Sequence, residues 1–572
     1  MSKYQWQVKP PIDKEFIDRF PEISPVILQL LVDRELSTQE KIDEFLHPDY
    51  SQDLHSPLLF TDMPKVLDLI FQAKETGDKI LIYGDYDADG VSGTAILWRA
   101  FKTIGLTPEI YLPDREKDGY GLNTRTVTEI AGQGIKLIIT VDCGISNVDE
   151  VKLANSLGVK VIITDHHHGQ ETLPPAEAII HPGLDKKYPF NDLCGGGVAF
   201  KVATALLTDP RSGLKPEEAD KTSKWLLDLV AISTVADMVP LLGENRTLVK
   251  YGLVVLAKTK NIGLQALIKA ASVDILKLNA YTIGFQLAPR INSASRMGHA
   301  NTAYRLLTSE DEEVATELAL ELNHSNQARQ SLTDKLVSEG RIQAATQATD
   351  APAIIVSGEN WNPGVIGLVA SKLVQDYARP VLALSFDGER YVASGRSIRE
   401  LNLIETLDEL SEYFIKYGGH AGAAGFSVKK EKFEEFCKAF LKRAGEKLKG
   451  VSFIPTLIID RSLTLPEIDW PLIEVLEQFD PYGERNYKPK FLLPKVTLVT
   501  SDIIGQDSKH LRLQVEDQGI KRKIIAFGFG SIASELKLGD ELDLVCELGF
   551  NQWNGNKEIQ LSLIDWRKSE NK

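Results

Sequence analysis

The 572-residue sequence has few cysteines, and none of them form a close pair. Its four cysteines are far apart in the chain and include no Cys-x-x-Cys motif: Cys143, Cys194, Cys437 and Cys546. Disulfide frameworks and zinc ribbons need close or regularly spaced cysteines, so neither class fits this sequence. We expect four reduced thiols.

Long apolar segments are also missing. No run is long enough to cross a bilayer, and the first ten residues are polar, without the apolar core of a secretion signal. The sequence therefore predicts a cytoplasmic protein that has no membrane partner.

Positive charge is in deficit. Lys and Arg number 65 against 80 Asp and Glu, which gives a formal net charge of −15. Taken alone, this balance argues against nucleic-acid binding. Binding depends on a local positive field, however, and a nuclease must gather acids around its metals. The net charge therefore neither supports nor excludes a nuclease.

The order of apolar segments predicts an α/β protein of several domains, because 572 residues are too many for one core. Residues 1–55 are expected to form an N-terminal helical segment. In residues 56–307, short apolar runs alternate with helical segments, which predicts a parallel-sheet domain with a helical extension. The runs are Lys79–Gly84, Pro108–Leu112, Ile135–Val141, Val159–Thr164 and Ala178–Ile180.

Three further regions follow. Residues 308–348 are expected to form one long connecting helix, and residues 349–450 a second α/β domain that starts with a strand at Ala353–Val356. Residues 451–572 hold five strand-like segments, which predicts a small β-barrel with an OB-fold as the leading candidate. These segments are Val496–Thr500, His510–Val515, Lys523–Phe527, Glu541–Leu548 and Ile559–Ile564, with a hairpin turn expected at Asn554-Gly555.

The most informative segment is Gly84–Gly90, with the sequence GDYDADG, directly after the first predicted strand. Its three carboxylates, Asp85, Asp87 and Asp89, would repel one another at close range unless a cation joined them. Hard divalent cations prefer such oxygen ligands, and Gly90 lets the backbone turn close to them. An acidic surface turn or a helix N-cap cluster would give the same pattern.

More candidate ligands follow other elements. Asp142 ends one predicted strand, the segment Asp165–His168 ends the next, and Asp237 follows a helical segment. Ligands of open parallel sheets bind beyond the carboxyl ends of the strands, so these residues should converge with Asp87 and Asp89. Carboxylates together with imidazole favour Mn²⁺ or Mg²⁺ over structural zinc. We therefore predict a two-metal site that hydrolyses phosphodiester or phosphoanhydride bonds.

These motifs resemble the DHH phosphoesterase superfamily, named for the motif that is Asp165-His166-His167 in this sequence. Within it, the chain is similar to the RecJ family through five segments in order: Gly84–Gly90, Val141–Ile145, Thr164–His167, Ala236–Leu241 and Pro289–Arg296. The second α/β domain resembles DHHA1 through Gly364–Ser371, Ala393–Ser397 and Gly418–Ser427. The resemblance extends from about residue 50 to about residue 430, and the expected OB-fold follows it.

The resemblance implies an enzyme that degrades single-stranded DNA from the 5′ end to mononucleotides, in DNA repair and recombination. Two ions, Mn²⁺ or Mg²⁺, would be held by Asp87, Asp89, Asp142, His166 and Asp237. His167 would assist at the scissile phosphate or the attacking water, and Asp85 would join or support the ligands. The residues implied to bind DNA or its 5′-phosphate are Arg115, Arg296, Ser394, Arg396, Gly419 and His420.

Several of these residues would also fit a purely structural role. Each arginine would also fit a salt bridge, and Gly418-Gly419-His420 would also fit a tight turn. Relatives often carry His where this chain has Asn362, and Asn cannot titrate near neutral pH, so we expect no proton transfer there. On the barrel, basic residues and Trp553 suit single-strand binding, although a solvated charged face is the alternative. The basic residues are Lys509, Arg512, Lys521, Arg522 and Lys523.

The resemblance also implies a helicase and a single-strand-binding protein as partners. Two other functions stay open at this point. The same metal core serves relatives that cleave oligoribonucleotides, cyclic dinucleotides or pyrophosphate, and a chain that had lost its ligands would be a non-catalytic DNA-binding scaffold. The long chain, the Arg396 motif and the barrel favour long DNA, and the complete set of acids and histidines favours an enzyme.

Overall fold

The computed structural model describes residues 3–115, 117–347, 350–553 and 555–569. The chain divides into two compact units. The larger unit comprises Met1–Pro289, Ala303–Ala319 and Thr456–Lys572, and the smaller unit comprises Arg290–Thr302 and Leu320–Pro455. The domain limits expected from the sequence stay predictions.

The N-terminal segment contains a strand as well as the expected helices. Its elements are β1 (Gln5–Val8), α1 (Lys14–Asp18), α2 (Pro25–Val32) and α3 (Gln39–Leu46). The expectation of a purely helical segment was therefore wrong at Gln5–Val8. This strand pairs in parallel with the distant strand Thr456–Ile459, a partner that local periodicity cannot reveal.

A five-stranded parallel sheet follows, with strand order β3-β2-β4-β5-β6. Between β2 and β4 the chain changes direction across the sheet, which is the place where doubly wound sheets open a crevice for ligands. The elements are α4 (Met63–Thr76), β2 (Lys79–Gly84), α5 (Ala88–Thr103), β3 (Glu109–Tyr111), α6 (Thr124–Gly132), β4 (Ile135–Val141), α7 (Val148–Ser156), β5 (Lys160–Thr164) and β6 (Ala178–Ile180).

A layer of helices extends this domain, as predicted. The helices are α8 (Gly195–Thr208), α9 (Pro216–Trp225), α10 (Leu227–Ala236), α11 (Gly243–Leu256), α12 (Ile262–Ala270) and α13 (Ala280–Thr282), followed by a π-helical turn at Ile283–Leu287. Helix α5 packs against both α8 and α10. Gly93 permits this packing, because a Cβ atom there would lie 2.7 Å from the side chain of Val141 and 3.1 Å from the backbone of Gly196.

The second α/β region has a mixed sheet with strand order β10-β11-β9-β8-β7, in which only β7 and β8 run parallel. Its elements follow α14 (Ala288–Met297), α15 (Asn301–Leu307) and the long helix α16 (Glu312–Thr346). They are β7 (Ile354–Glu359), α17 (Pro363–Tyr377), β8 (Val381–Phe386), β9 (Arg390–Arg396), α18 (Leu403–Asp408), β10 (Phe414–His420), β11 (Ala423–Lys429) and α19 (Phe433–Lys447).

The C-terminal part contains a closed five-stranded barrel. Its strands pair in the order β14-β15-β16-β18-β17, and β17 pairs back with β14. The elements are β12 (Thr456–Ile459), β13 (Arg461–Ser462), α20 (Trp470–Gln478), β14 (Lys490–Ile504), β15 (His510–Asp517), β16 (Ile520–Ala526), β17 (Glu541–Trp553) and β18 (Asn556–Lys568). Each predicted barrel segment falls largely within one of these strands. Asn554 and the side chain of Trp553 lie outside the described residues.

The structure confirms the predicted fold class: a parallel-sheet domain, a long helix, a second α/β region and a C-terminal barrel. No described helix has the length and apolar character needed to span a bilayer.

One buried arginine joins three parts of the larger unit. Arg246 on α11 is 1% exposed, and burial lowers the pKa of its guanidinium to about 10. The guanidinium donates hydrogen bonds to five backbone carbonyl oxygens, of Phe45 (2.8 Å), Gln478 (2.6 Å), Phe479 (2.9 Å), Asp480 (3.0 Å) and Pro481 (3.5 Å). Arg246 therefore fixes the N-terminal segment and the chain before the barrel onto the helical layer.

Replacing Arg246 by Met keeps much of the side-chain volume but removes every donor to these carbonyls. We expect the free energy of unfolding to fall by about 3–5 kcal/mol, because buried acceptors lose their partners. Urea unfolding followed by tryptophan fluorescence measures the change. Arg305→Met is the matched control, since Arg305 is exposed, and it should cost less than about 0.5 kcal/mol. Equal unfolding midpoints for the two variants would contradict this role of Arg246.

Candidate metal centre

The turn between β2 and α5 places three acids at the edge of the parallel sheet. The backbone N–H of Asp85 donates to the carbonyl of Val141 (3.1 Å), so the turn continues the pairing of β2 with β4. Asp87 caps α5, since its Oδ1 accepts from the N–H groups of Asp89 (2.9 Å) and Gly90 (3.1 Å). A Cβ atom on Gly90 would lie 2.6 Å from Cβ of Asp85, so this turn requires glycine.

Asp89 is 1% exposed and is held by groups from two other helices. Its carboxylate accepts from the N–H of Gly195 (2.7 Å) and of Gly196 (2.8 Å), and it also accepts a short hydrogen bond from the hydroxyl of Ser233. These groups were not predicted from the sequence. The run of three glycines after Cys194 was the available signal, and it marks the close approach of α8 to the acids.

Asp142 follows β4 in a left-handed backbone conformation, with φ of 63°. It is 1% exposed, and its N–H donates to the carbonyl of Thr164 (3.0 Å). Nε2 of His166 lies 3.2 Å from Oδ1 of Asp142, 3.5 Å from Oδ2 of Asp237 and 3.8 Å from Oδ2 of Asp89. The structure therefore brings together the acids and the histidine that the sequence predicted to converge.

Asp165 holds the two neighbouring histidines in place. Its carboxylate accepts from the N–H groups of His166 (2.7 Å), His167 (3.1 Å) and Ile145 (3.0 Å), and it contacts Nδ1 of His167 at 2.8 Å. These hydrogen bonds occupy Asp165 and orient both imidazole rings.

Tyr120 is a further residue of the site that was not predicted from the sequence. Its hydroxyl donates to the carbonyl of Asp142 (3.0 Å) and lies 2.9 Å from Nδ1 of His167. The hydroxyl group therefore connects the backbone of one candidate ligand, Asp142, to the histidine beside another, His166.

The predicted ligands form three overlapping groups, each with ligand atoms within 4.8 Å of one another. The groups are Asp85, Asp87 and Asp142; Asp142, His166 and His167; and Asp89, His166 and Asp237. Within these groups, three buried atoms have no hydrogen-bond partner among the described residues: Oδ1 of Asp85, Oδ1 of Asp142 and Nε2 of His166. Bound divalent cations would satisfy these atoms, and the oxygen-rich donor set fits Mn²⁺ or Mg²⁺.

Burial and like charge shift the pKa values of the site. Burial and then the neighbouring carboxylates raise the pKa of Asp85, Asp142 and Asp237 well above the usual range, and that of Asp89 to about 6. Burial and the nearby His167 lower the pKa of His166 to about 3, so its imidazole stays neutral, as a metal ligand must be. A divalent cation would offset the repulsion that otherwise keeps protons on these acids.

Of the predicted phosphate-binding residues, Arg115 is the one in the larger unit. Its guanidinium carbon lies 5.0 Å from the ring centroid of Tyr86, and its charge acts to lower the pKa of Asp85. Arg115 therefore lies close to the acids on the turn after β2.

The other predicted phosphate-binding residues are in the smaller unit, and three of them lie around the start of α17. Nη1 of Arg296 donates to the carbonyl of Gly364 (2.9 Å), and Nη1 of Arg396 donates to the hydroxyl of Ser394 (3.1 Å). A Cβ atom on Gly367 would lie 3.0 Å from Oγ of Ser394, so this pair lies against α17 close to its start. A helix N-terminus flanked by two arginines suits a phosphate group.

Gly419 and His420 lie at the same end of this sheet as Arg396. His420 pairs with Ala423 on β11, which in turn pairs with Arg396 on β9. Gly419 has φ of 153°, and a Cβ atom there would lie 2.4 Å from the carbonyl oxygen of Ala423, so the position requires glycine.

Asn362 has a structural role. It caps α17, and its Oδ1 accepts from the N–H of Gly364 (2.7 Å). This contact uses the amide as a hydrogen-bond acceptor and needs no titratable group.

Three domains of this chain match known protein families. The DHH family N-terminal domain matches residues 79–234, the DHHA1 domain matches residues 350–446, and the RecJ OB domain matches residues 459–565. The single-stranded-DNA-specific exonuclease RecJ of Bacillus subtilis is 38% identical over 100% of this chain and 71% of its own length. The chain belongs to the RecJ family.

Other RecJ proteins agree with this assignment. The single-stranded-DNA-specific exonuclease RecJ of Salmonella typhimurium is 34% identical over 87% of this chain and 89% of its own length. The crystal structure of RecJ from Thermus thermophilus in complex with Mn²⁺ matches with a TM-score of 0.83 at 29% identity, over 99% of this chain and 80% of that one. The expected family is therefore confirmed.

Metal binding should stabilise the fold through this cluster. Saturating Mn²⁺, at about a hundred times its dissociation constant, is expected to add roughly 2.7 kcal/mol, which raises the thermal unfolding midpoint. Asp142→Asn, which tolerates the same backbone conformation, should lose most of this increase. In chelator the variant should unfold at or above the temperature of the unchanged chain, because one repelling carboxylate is gone.

Asp149→Asn is the control for this measurement, since Asp149 is an exposed acid on α7. It should keep the full response to Mn²⁺. An equal rise in midpoint for Asp142→Asn would show that the ion binds elsewhere.

Proposed function

We propose that this chain is a metal-dependent exonuclease that degrades single-stranded DNA from its 5′ end to mononucleotides, in DNA repair and recombination. The observation that carries the proposal is the convergence of Asp89, Asp142, His166 and Asp237 at one edge of the sheet. Membership of the RecJ family, whose named relatives are single-stranded-DNA-specific exonucleases, supplies the substrate and the reaction.

We assign the metal ligands to the residues predicted from the sequence. Asp87, Asp89, Asp142, His166 and Asp237 would hold two Mn²⁺ or Mg²⁺ ions, and Asp85 would support them. When bound, such ions activate a water molecule and neutralise the scissile phosphate. The unsatisfied buried atoms of Asp142 and His166 support this assignment.

The protein's own groups position the reacting atoms. Asp165 and Tyr120 orient His167, whose imidazole would donate a hydrogen bond to an oxygen of the scissile phosphate. Attack of water on phosphorus breaks the bond to the 3′ oxygen of the terminal nucleotide. The mononucleotide leaves with a 3′ hydroxyl, and the shortened strand keeps a new 5′-phosphate for the next cycle.

Recognition of the DNA end would fall to the predicted arginines. We assign the 5′-phosphate to Arg296, Ser394 and Arg396 at the start of α17, with Gly419 and His420 along the adjoining strands and Arg115 near the acids. The hydrogen bond of Arg296 to Gly364 and the position of Ser394 and Arg396 beside Gly367 support this arrangement.

The barrel would bind the strand further along. Lys521, Arg522 and Lys523 border a concave surface that also contains Trp470, which is 39% exposed. Cationic side chains with an exposed aromatic ring are typical of single-strand binding on OB-folds. Trp470 therefore offers a stacking surface in addition to the predicted Trp553.

We also propose a location and two partners. A cytoplasmic location is supported by four cysteines that form no disulfide. A helicase and a single-strand-binding protein are proposed as partners on the family resemblance alone.

The proposed activity is tested with 5′-labelled DNA. The unchanged chain should release mononucleotides from single strands with Mn²⁺ or Mg²⁺, should spare blunt duplexes and should stop in chelator. Asp142→Asn should lose turnover by at least about a hundredfold while keeping its affinity for DNA in chelator. Turnover that is indifferent to chelator would remove the mechanism, and faster cleavage of short RNA or cyclic dinucleotides would favour a different substrate.

The 5′-phosphate assignment has its own test. Arg396→Ala should raise KM for 5′-phosphorylated strands by about 10- to 100-fold, because a charge-assisted hydrogen bond contributes roughly 1.5–3 kcal/mol. The effect on strands with a 5′ hydroxyl should be small. Arg390→Ala on the same strand is the control, since exposed Arg390 pairs locally with Asp387. An equal loss on both substrates would place Arg396 outside the phosphate site.

A further inference from the structure

A second concave site lies in the larger unit, at the end of α5 remote from the candidate metal centre. Its volume is about 440 Å³, within the range of ~300–1,000 Å³ that is typical of small-molecule sites. Lys102 borders it and follows Asp89 by thirteen residues on the same helix. At 1.5 Å per residue, this separation is about 20 Å, so the two sites are distinct.

Two tryptophan rings form part of the wall. Trp98 lies in the last turns of α5, and Trp225 ends α9; both are partly exposed. The ammonium of Lys102 lies 4.9 Å from the ring centroid of Trp98, and that of Lys260 lies 4.5 Å from the ring centroid of Trp225. Each ring therefore has a cation at its face, as in cation–π contacts.

The wall is positively charged although the chain as a whole is not. Arg99, Lys102 and Lys260 face one acid, Glu310, which gives a formal charge of +2 in a protein of net charge −15. Arg99 is fixed in place, because its Nη2 donates to the carbonyl of Leu307 (2.9 Å). Lys102 pairs with Glu310 at 2.5 Å, so a ligand anion would compete with this carboxylate.

The lining favours a nucleotide over a peptide. The described lining residues come from helices and from the turns between them, so they offer no strand edge to which a peptide could add. Helical peptides bind in apolar grooves, whereas this cavity has three cations among its twelve described lining residues. Aromatic faces next to cations are instead the usual partners of a base and its phosphate.

We propose that this cavity binds a nucleotide, with the base against the rings of Trp98 and Trp225 and the phosphate on Lys102 and Lys260. A free nucleoside monophosphate and one nucleotide of a DNA strand present the same base and phosphate, and the experiment distinguishes the two sources. The proposal rests on the proposed function only in its choice of deoxyribonucleotides.

Photo-crosslinking tests the site in the full-length Asp142→Asn variant with chelator, which leaves the DNA intact. The probes are 5-iodo-2′-deoxyuridine 5′-monophosphate and a short oligothymidylate that carries one iodouracil. Mass spectrometry then locates the crosslink. We expect it at Trp98 or Trp225. A crosslink with the free nucleotide identifies a site that accepts the released product, and one with the oligonucleotide alone identifies a site for the strand.

Three charge variants test whether the crosslink yield depends on the positive charge of the cavity. Lys260→Glu should lower the crosslink yield by about tenfold, because a charged hydrogen-bond donor becomes a repelling acid. Lys258→Glu is the control, since Lys258 is exposed and does not line the cavity, and it should change the yield little. Glu310→Gln should raise the yield, because Lys102 loses its competing carboxylate. Circular dichroism spectra that match the parent exclude misfolding as the cause.

Three outcomes would overturn the proposal: no crosslink at either tryptophan with either probe, equal losses for Lys258→Glu and Lys260→Glu, or stronger competition by an acidic aromatic peptide than by thymidine monophosphate. Because the readout is the position of a crosslink in a variant without turnover, it stays informative even if the chain proves not to cleave DNA.

Discussion

Mutual repulsion among buried carboxylates is the constraint on which the catalytic half of this molecule depends. Asp89 and Asp142 are each 1% exposed, and both lie near His166. The backbone reduces this repulsion at Asp89, because the N–H groups of Gly195 and Gly196 donate to its carboxylate. Both positions require glycine, since a Cβ atom on Gly195 would clash with Asp142 and one on Gly196 with Ser233. The remaining negative charge of the carboxylates at the edge of the sheet is neutralised by divalent cations.

The sequence could place the candidate ligands at one edge of the sheet because their signal is local. A strand buried on both faces is an uninterrupted apolar run, and an acid directly after it must lie at the carboxyl edge of the sheet. Tyr120 and Ser233 escaped prediction for the opposite reason. Each reaches the site through a contact with a residue far away in sequence, Asp142 in one case and Asp89 in the other. Nothing in their own surroundings marks them.

The arginines predicted to bind phosphate fall between these two cases. An arginine carries no local indication of what it faces, so Arg296, on helix α14, and Arg396, on strand β9, could be named only through the family motifs. The structure adds a physical reason, because Arg296 contacts Gly364 and Arg396 lies beside Gly367, both near the start of α17, where backbone N–H groups attract anions. It also explains the departure at Asn362, whose amide serves as the cap of that helix.

The two ends of the chain share one hydrophobic core. Phe20, Ile27 and Phe45 belong to the same cluster of buried side chains as Leu465, Phe479 and the barrel strands. At roughly 5–20 residues per second, a ribosome needs some tens of seconds to reach the barrel after it has made these helices. During that interval their apolar faces have no partner. Newly made chains should therefore depend on chaperones, and premature termination should leave a product that aggregates.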